Sequence, residues 1–255
     1  MTMDQATLTA WNGLLASPAG WLLTFALVVI VPIRGYLTLH APPPRDAGPI
    51  VLSATKLARY WKTIAWQWVL VAALLLIVRR HGLSAADVGE RLGDARVTAG
   101  VTAALLAIVV VVFAIIFWRI RRASPRVSSA GESPMRYLAP GFGREMVVFA
   151  LLSVTAGICE ELLYRGWLVN VLRAATGSTG AAVGVGSAIF GIAHAYQGVG
   201  GMLRTMFVGL QFALLFVYVD SLIPGQVLHA AFDLAAGLAM ATAEARRREA
   251  RVATC

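Results

Sequence analysis

The chain has 255 residues, 58% of them hydrophobic and 14% charged, with a formal net charge of +9. A soluble domain carries about 25% charged residues, so this composition excludes an ordinary soluble globule and fits a polytopic membrane protein. Nucleic acid is set aside as a partner, because the 22 basic residues, 20 of them arginine, fall mostly in short stretches between apolar runs. Topology signals and contacts to an anionic lipid bilayer have that distribution.

The apolar runs predict an all-α, polytopic transmembrane helical bundle of about seven spans (six to eight). Trp21–Leu39 comes first, interrupted by Pro32 and Arg34, which kink or end it. A proline-rich turn follows at 41–46. Trp61–Val78 opens with Trp61, Trp66 and Trp68, placed as an interfacial aromatic belt, and ends at Arg79 and Arg80. Residues 83–94 read as a short interfacial helix capped by Ser84 and Asp87. Val97–Trp118 is a span without a charge, and 119–144 is a polar loop with six arginines. Met146–Leu168 is the fourth span, and a turn at 177–180 leads to Ala181–Tyr196, short and rich in small residues. Met202–Val219 and Leu222–Ala243 complete the set. The division expected is 1–144 for N-terminal spans and polar loops, 145–243 for a helical core, and 244–255 for a basic C-terminal tail.

Basic residues near the span ends favour an outside N-terminus and a cytoplasmic C-terminus, sixteen against five. Arginine far above lysine, with abundant Ala, Val and Gly, points to a GC-rich bacterial genome and hence to the bacterial inner membrane.

The chemistry lies in charged groups that lipid should exclude. Ionisable residues inside spans normally face a bundle interior or a wet cavity and mark function. Glu160 and Glu161 are adjacent, and Arg165 stands four residues after Glu161, the spacing of a helical salt bridge. One carboxylate is thereby neutralised while the other points into a cavity, where a general base belongs. The alternative is an interhelical ion-pair lock without chemistry. His194 closes a second motif with Phe190 one turn before it. A base alone does not cleave a bond, and histidine is the usual partner in proton transfer, although a lone intramembrane histidine is commonly a packing residue. His229 and Asp233 are again four apart, so the carboxylate can fix the ring's tautomer and leave the other nitrogen facing the site. Gly184-Val185-Gly186 lacks the strand and third glycine of a nucleotide loop. Ser153 and Ser187 lack the setting of a nucleophile. Two cysteines are too few for a disulfide framework or a four-cysteine zinc site, and Cys159 reads as a small buried helix residue.

These three motifs, Glu160-Glu161-x-x-x-Arg165, Phe190-x-x-x-His194 and His229-x-x-x-Asp233, match in order those of the CPBP (CAAX protease and bacteriocin-processing, or Abi) intramembrane endopeptidases. The chain resembles that group, which includes the Ras-converting CAAX endopeptidase, over roughly residues 145–243. The resemblance implies hydrolysis of a peptide bond in a membrane-embedded or membrane-associated protein. Glu160 would activate water with help from His194, and His229 and Asp233 would stabilise the oxyanion. Glu161, Arg165 and Phe190 would be structural support. The last position is Asp here, where CAAX endopeptidases carry Asn. An ionised Asp cannot donate to an oxyanion, so Asp233 either carries a proton or orients His229. No cofactor is expected. The alternatives are a metal-dependent protease holding one divalent metal such as zinc on Glu160, His194 and His229, and a non-enzymatic scaffold or bacteriocin self-immunity protein.

Overall fold

Ser17 accepts a hydrogen bond from the Gly20 amide at 3.1 Å, and Pro18 takes the first helical position. That cap starts the first crossing. A computed structural model describes residues 5–40, 49–123 and 139–253, and these form helices and turns with no strand among them. Before the cap lies α1 (Gln5–Leu15), for which the sequence pattern gives no expectation. It buries Trp11 and Leu14, with Trp11 edge-on to Trp167 at 5.8 Å.

The first crossing is α2 (Pro18–Phe25), a π-helical turn Ala26–Ile30, and α3 (Val31–His40). The widened turn ends two residues before Pro32, whose ring lacks the N–H that an α-helix needs there. Then come α4 (Pro49–Arg80), α5 (Ala95–Arg122), α6 (Arg144–Glu160), a π-helical stretch Glu161–Val169 and α7 (Asn170–Thr176). The remainder is α8 (Thr179–Ala193), a 3₁₀ turn Ala195–Gln197, α9 (Gly198–Val219) and α10 (Ile223–Ala253). Among the described residues six helical stretches are long and apolar enough to cross a membrane, and Thr179–Ala193 is a shorter apolar helix. Fifteen residues rise about 22 Å, less than a hydrocarbon core of about 30 Å. The bundle is therefore all-α and multi-pass, with one short helix among the seven apolar segments.

The interfacial helix expected over 83–94 is instead a single 3₁₀ turn, Ala86–Val88. Ser84 and Asp87 do pair, Asp87 Oδ2 accepting from the Ser84 amide at 2.8 Å and hydroxyl at 2.6 Å, but Ser84 is not the cap: Ala85 precedes the turn and no side chain caps it. Gly89 then takes φ +93°, which L side chains avoid, and stops the helix after one turn. The segment also packs inward rather than lying on lipid. Val88 is fully buried, and Arg91 meets Asp220 at 2.5 Å. The Leu222 amide donates to the Gly89 carbonyl at 2.9 Å.

These contacts fix one end of the bundle, where turn 81–94 meets turn 220–222. At the opposite end Lys56 pairs with Glu145 at 3.3 Å, and the Arg246 guanidinium donates to the Ile120 carbonyl. The proline turn at 41–46 and most of loop 119–144 lie outside the described residues. The tail expected from 244 is no separate element, since α10 runs on to Ala253. Nor are the N-terminal spans a separate layer, because α4 packs along α6 and the π stretch.

Glycine lets α6 and α10 approach closely. A Cβ on Gly157 would lie 2.6 Å from the Gln226 carbonyl oxygen and 2.8 Å from the Ala230 nitrogen. That contact carries the 226–230 turn of α10, and so His229, against the carboxylate pair.

Candidate active site

Glu160 ends α6, and Glu161 opens the π-helical stretch whose nine residues are all buried. The widened i→i+5 turn replaces the regular α-helix assumed from spacing. Such turns are rare and recur at functional sites. Gly166 sits in it with no room for a side chain, since a Cβ would come 2.7 Å from the Val88 carbonyl oxygen.

The two carboxylates occupy different surroundings. Glu161 Oε1 accepts from Arg165 Nη1 at 2.9 Å and meets His229 Nδ1 at 2.9 Å. Arg165 and Glu161 expose only 2% and 1% of their side chains. Arg165 Nη2 donates on to the Gly209 carbonyl at 3.1 Å. Its guanidinium lies 4.2 Å from the centroid of the Phe190 ring, a desolvated cation–π contact. The i,i+4 pair read from the sequence is therefore present, and it reaches α10 through His229.

Glu160 is held differently. Its Oε1 accepts from Gln67 Nε2 of α4 at 2.7 Å. Its Oε2 is buried and has no hydrogen-bond partner. That oxygen lies 3.7 Å from His194 Nε2 and 3.8 Å from His229 Nε2. Both gaps exceed the 2.7–3.2 Å of a direct hydrogen bond, and a polar pair at such a distance is suited to a bridging water.

Each imidazole is oriented through its other nitrogen. His194 stands at the C-terminal cap of α8, and its Nδ1 lies 2.8 Å from the Phe190 carbonyl oxygen. Donation from Nδ1 to that carbonyl leaves Nε2 with a lone pair in the neutral ring. Glu161 does the same for His229. This corrects the reading that Asp233 fixes the His229 tautomer: Asp233 Oδ2 is 3.7 Å from the site-facing Nε2, not hydrogen-bonded to Nδ1. Asp233 is also the exposed member, with 36% of its side chain accessible. It lies one turn beyond His229 toward the end of the bundle that carries Lys56 and Glu145.

Glu160, His194, His229 and Asp233, drawn from three separate motifs, thus converge, with Phe190 wedged behind them. The Phe190 ring is 4.7 Å from the His194 ring and 4.9 Å from that of Tyr164. Gln67 escaped the sequence reading. An amide inside an apolar span was the available signal, masked by the flanking Trp66 and Trp68. Among the described residues no group of three or more His, Cys, Asp or Glu side chains has the arrangement of a metal site. The Ser153 and Ser187 hydroxyls donate to carbonyls four residues back, at 2.9 and 2.7 Å. Cys159 is fully buried.

Residues 142–235 match a protein-family model described as Rce1-like, type II CAAX prenyl endopeptidase. No curated protein and no solved structure matches the chain.

Proposed function

We propose that this chain, whose residues 142–235 match the type II CAAX prenyl endopeptidase model, hydrolyses a peptide bond with a water activated by Glu160. The observation that carries the reading is Glu160 Oε2, a buried acceptor without a partner, facing Nε2 of two imidazoles at 3.7 and 3.8 Å. A helix lock would satisfy its own polar groups, since an unpaired buried acceptor costs about 1–3 kcal/mol.

The water sits among Oε2 and the two Nε2 atoms. Glu160 takes one proton from it, His194 Nε2 accepts a hydrogen bond from it, and the hydroxide attacks the scissile carbonyl carbon. The resulting oxyanion needs donors. With Nδ1 of His229 donating to Glu161, Nε2 donates when the ring is protonated, a cation that the Glu161 carboxylate stabilises. Asp233 adds a second donor while it carries a proton. Glu160 then returns its proton to the leaving amine as the C–N bond breaks.

No cofactor enters this scheme. The second reading keeps the protease and places one divalent metal on Glu160, His194 and His229. A chelator separates the two readings, since only the metal-dependent one loses turnover. The substrate is a membrane-associated protein or peptide, entering from the end where Asp233 is exposed. The sixteen-to-five count of basic residues favours a cytoplasmic side for that end and for the C-terminus, and the composition favours a bacterial inner membrane.

The test is comparative proteomics of membranes from a strain lacking the chain, one restored with wild type and one restored with Glu160→Gln. A membrane protein cleaved only in the wild-type strain identifies the substrate. Identical fragment patterns in the wild-type and Glu160→Gln strains overturn the reading.

A further inference from the structure

We propose that Gln67 of α4, outside the family-matched segment, is a positioning residue that holds the Glu160 carboxylate away from the imidazoles, a role that rests on the proteolytic reading of the site. Gln67 is 8% exposed within the apolar stretch Leu52–Arg80. An amide there is costly unless hydrogen-bonded. Its Nε2 donates to Glu160 Oε1 at 2.7 Å, the short end of the N–H···O range and the mark of a charge-assisted bond. Its own Oε1 is buried without a partner. An amide serving only to lock helices together would use both ends, whereas this one has its donor on the carboxylate and its acceptor unmatched.

The geometry explains why a donor is needed on that side. The terminal torsion of a glutamate is broad and roughly two-fold, so packing alone does not fix the plane of the carboxylate. Two imidazoles lie 3.7 and 3.8 Å from Oε2. A movement of less than 1 Å would turn either gap into a direct hydrogen bond, displace the water and tie up the base. Gln67 pulls from the α4 side and keeps Oε2 at water-bridging distance. The register of α4 on α6 that makes this reach possible is set by Lys56 on Glu145 at 3.3 Å, with Tyr60 edge-on to Phe149 at 5.6 Å.

The contact is tested first by pH-induced difference infrared spectroscopy of the purified full chain. The Glu160 carboxyl band is assigned by its loss in Glu160→Gln. Gln67→Leu moves that band to higher wavenumber, as loss of a donor does, while a packing role leaves it in place. The second measurement is turnover of the membrane protein identified by the proteomic comparison. Gln67→Leu lowers kcat about a hundred-fold, the order that a misplacement of about 1 Å costs, with KM little changed because Gln67 touches the base and not the substrate. Gln67→Glu retains activity at low pH, where the introduced carboxyl donates, and loses it as that carboxyl ionises against Glu160. If Gln67→Leu aggregates, Gln67→Met, which keeps the length without the donor, is read in the same two measurements. An unmoved band, or an unchanged kcat beside an inactive Glu160→Gln, overturns the positioning role alone. Full turnover in Glu160→Gln overturns the hydrolytic reading and the positioning role with it.

Discussion

Glu161→Gln removes the negative charge that Arg165 and His229 share. Glu161 Oε1 meets Arg165 Nη1 and His229 Nδ1, each at 2.9 Å, and both Glu161 and Arg165 are buried. The guanidinium stays buried after the substitution, and breaking a buried pair on one side costs about 3–5 kcal/mol. The carboxamide oxygen still accepts one hydrogen bond, which returns about 1 kcal/mol. The net loss is about 3 kcal/mol, and for a chain of this size that lowers the unfolding midpoint on the order of 10 °C. Tryptophan fluorescence during heating in detergent reads it. Glu161→Leu combined with Arg165→Met removes both charges, a change that is often neutral or stabilising. It leaves the Gly209 carbonyl without its donor, so the double variant recovers most of the midpoint but not all. Turnover does not recover in the double variant, because His229 has lost the acceptor that fixes its ring. A wild-type midpoint in Glu161→Gln, or wild-type turnover in the double variant, refutes this reasoning.

Gly157→Ala puts a Cβ 2.6 Å from the Gln226 carbonyl oxygen; overpacking of that kind costs about 1–3 kcal/mol, and turnover falls as α10 shifts, which unfolding and kinetics on one preparation check together. His229→Ala and Asp233→Ala lower kcat more than they raise KM, because oxyanion contacts form mainly in the transition state; steady-state kinetics separates the two, and Asp233→Asn keeps substantial activity because the amide donates where a protonated Asp does. Reporter fusions at Ala41 and Ser128 read cytoplasmic and a fusion at Ser84 reads periplasmic, since turn 81–94 lies at the opposite end of the bundle from Lys56 and Glu145; a periplasmic signal at Ser128 contradicts the sixteen-to-five orientation.

The site was legible where chemistry forces an exception to composition. Glu160, Glu161, Arg165, His194, His229 and Asp233 stand out because lipid penalises each of them, and their i,i+4 spacings showed which could share a helix face. Spacing within one helix says nothing about partners on another. It offered Asp233 to His229, whereas the ring turns to Glu161, 68 residues away and brought near by the Gly157 contact. Gln67 was lost among tryptophans that suit an interface equally well. The helix α1 leaves only a weak pattern, because it is held by Trp11 packing on Trp167, a contact across the fold. Gly89 and Gly93 were the available signal that 83–94 would not form a helix, since both take positive φ.

Whether Glu160 activates the attacking water without a metal is decided with purified enzyme cleaving its membrane substrate. Wild type turns over at the same rate with and without a strong chelator, and Glu160→Gln, unfolding at the wild-type temperature, does not turn over at all. Wild-type turnover in Glu160→Gln contradicts the role of Glu160. A stoichiometric metal whose removal stops cleavage and whose return restores it contradicts the metal-free mechanism.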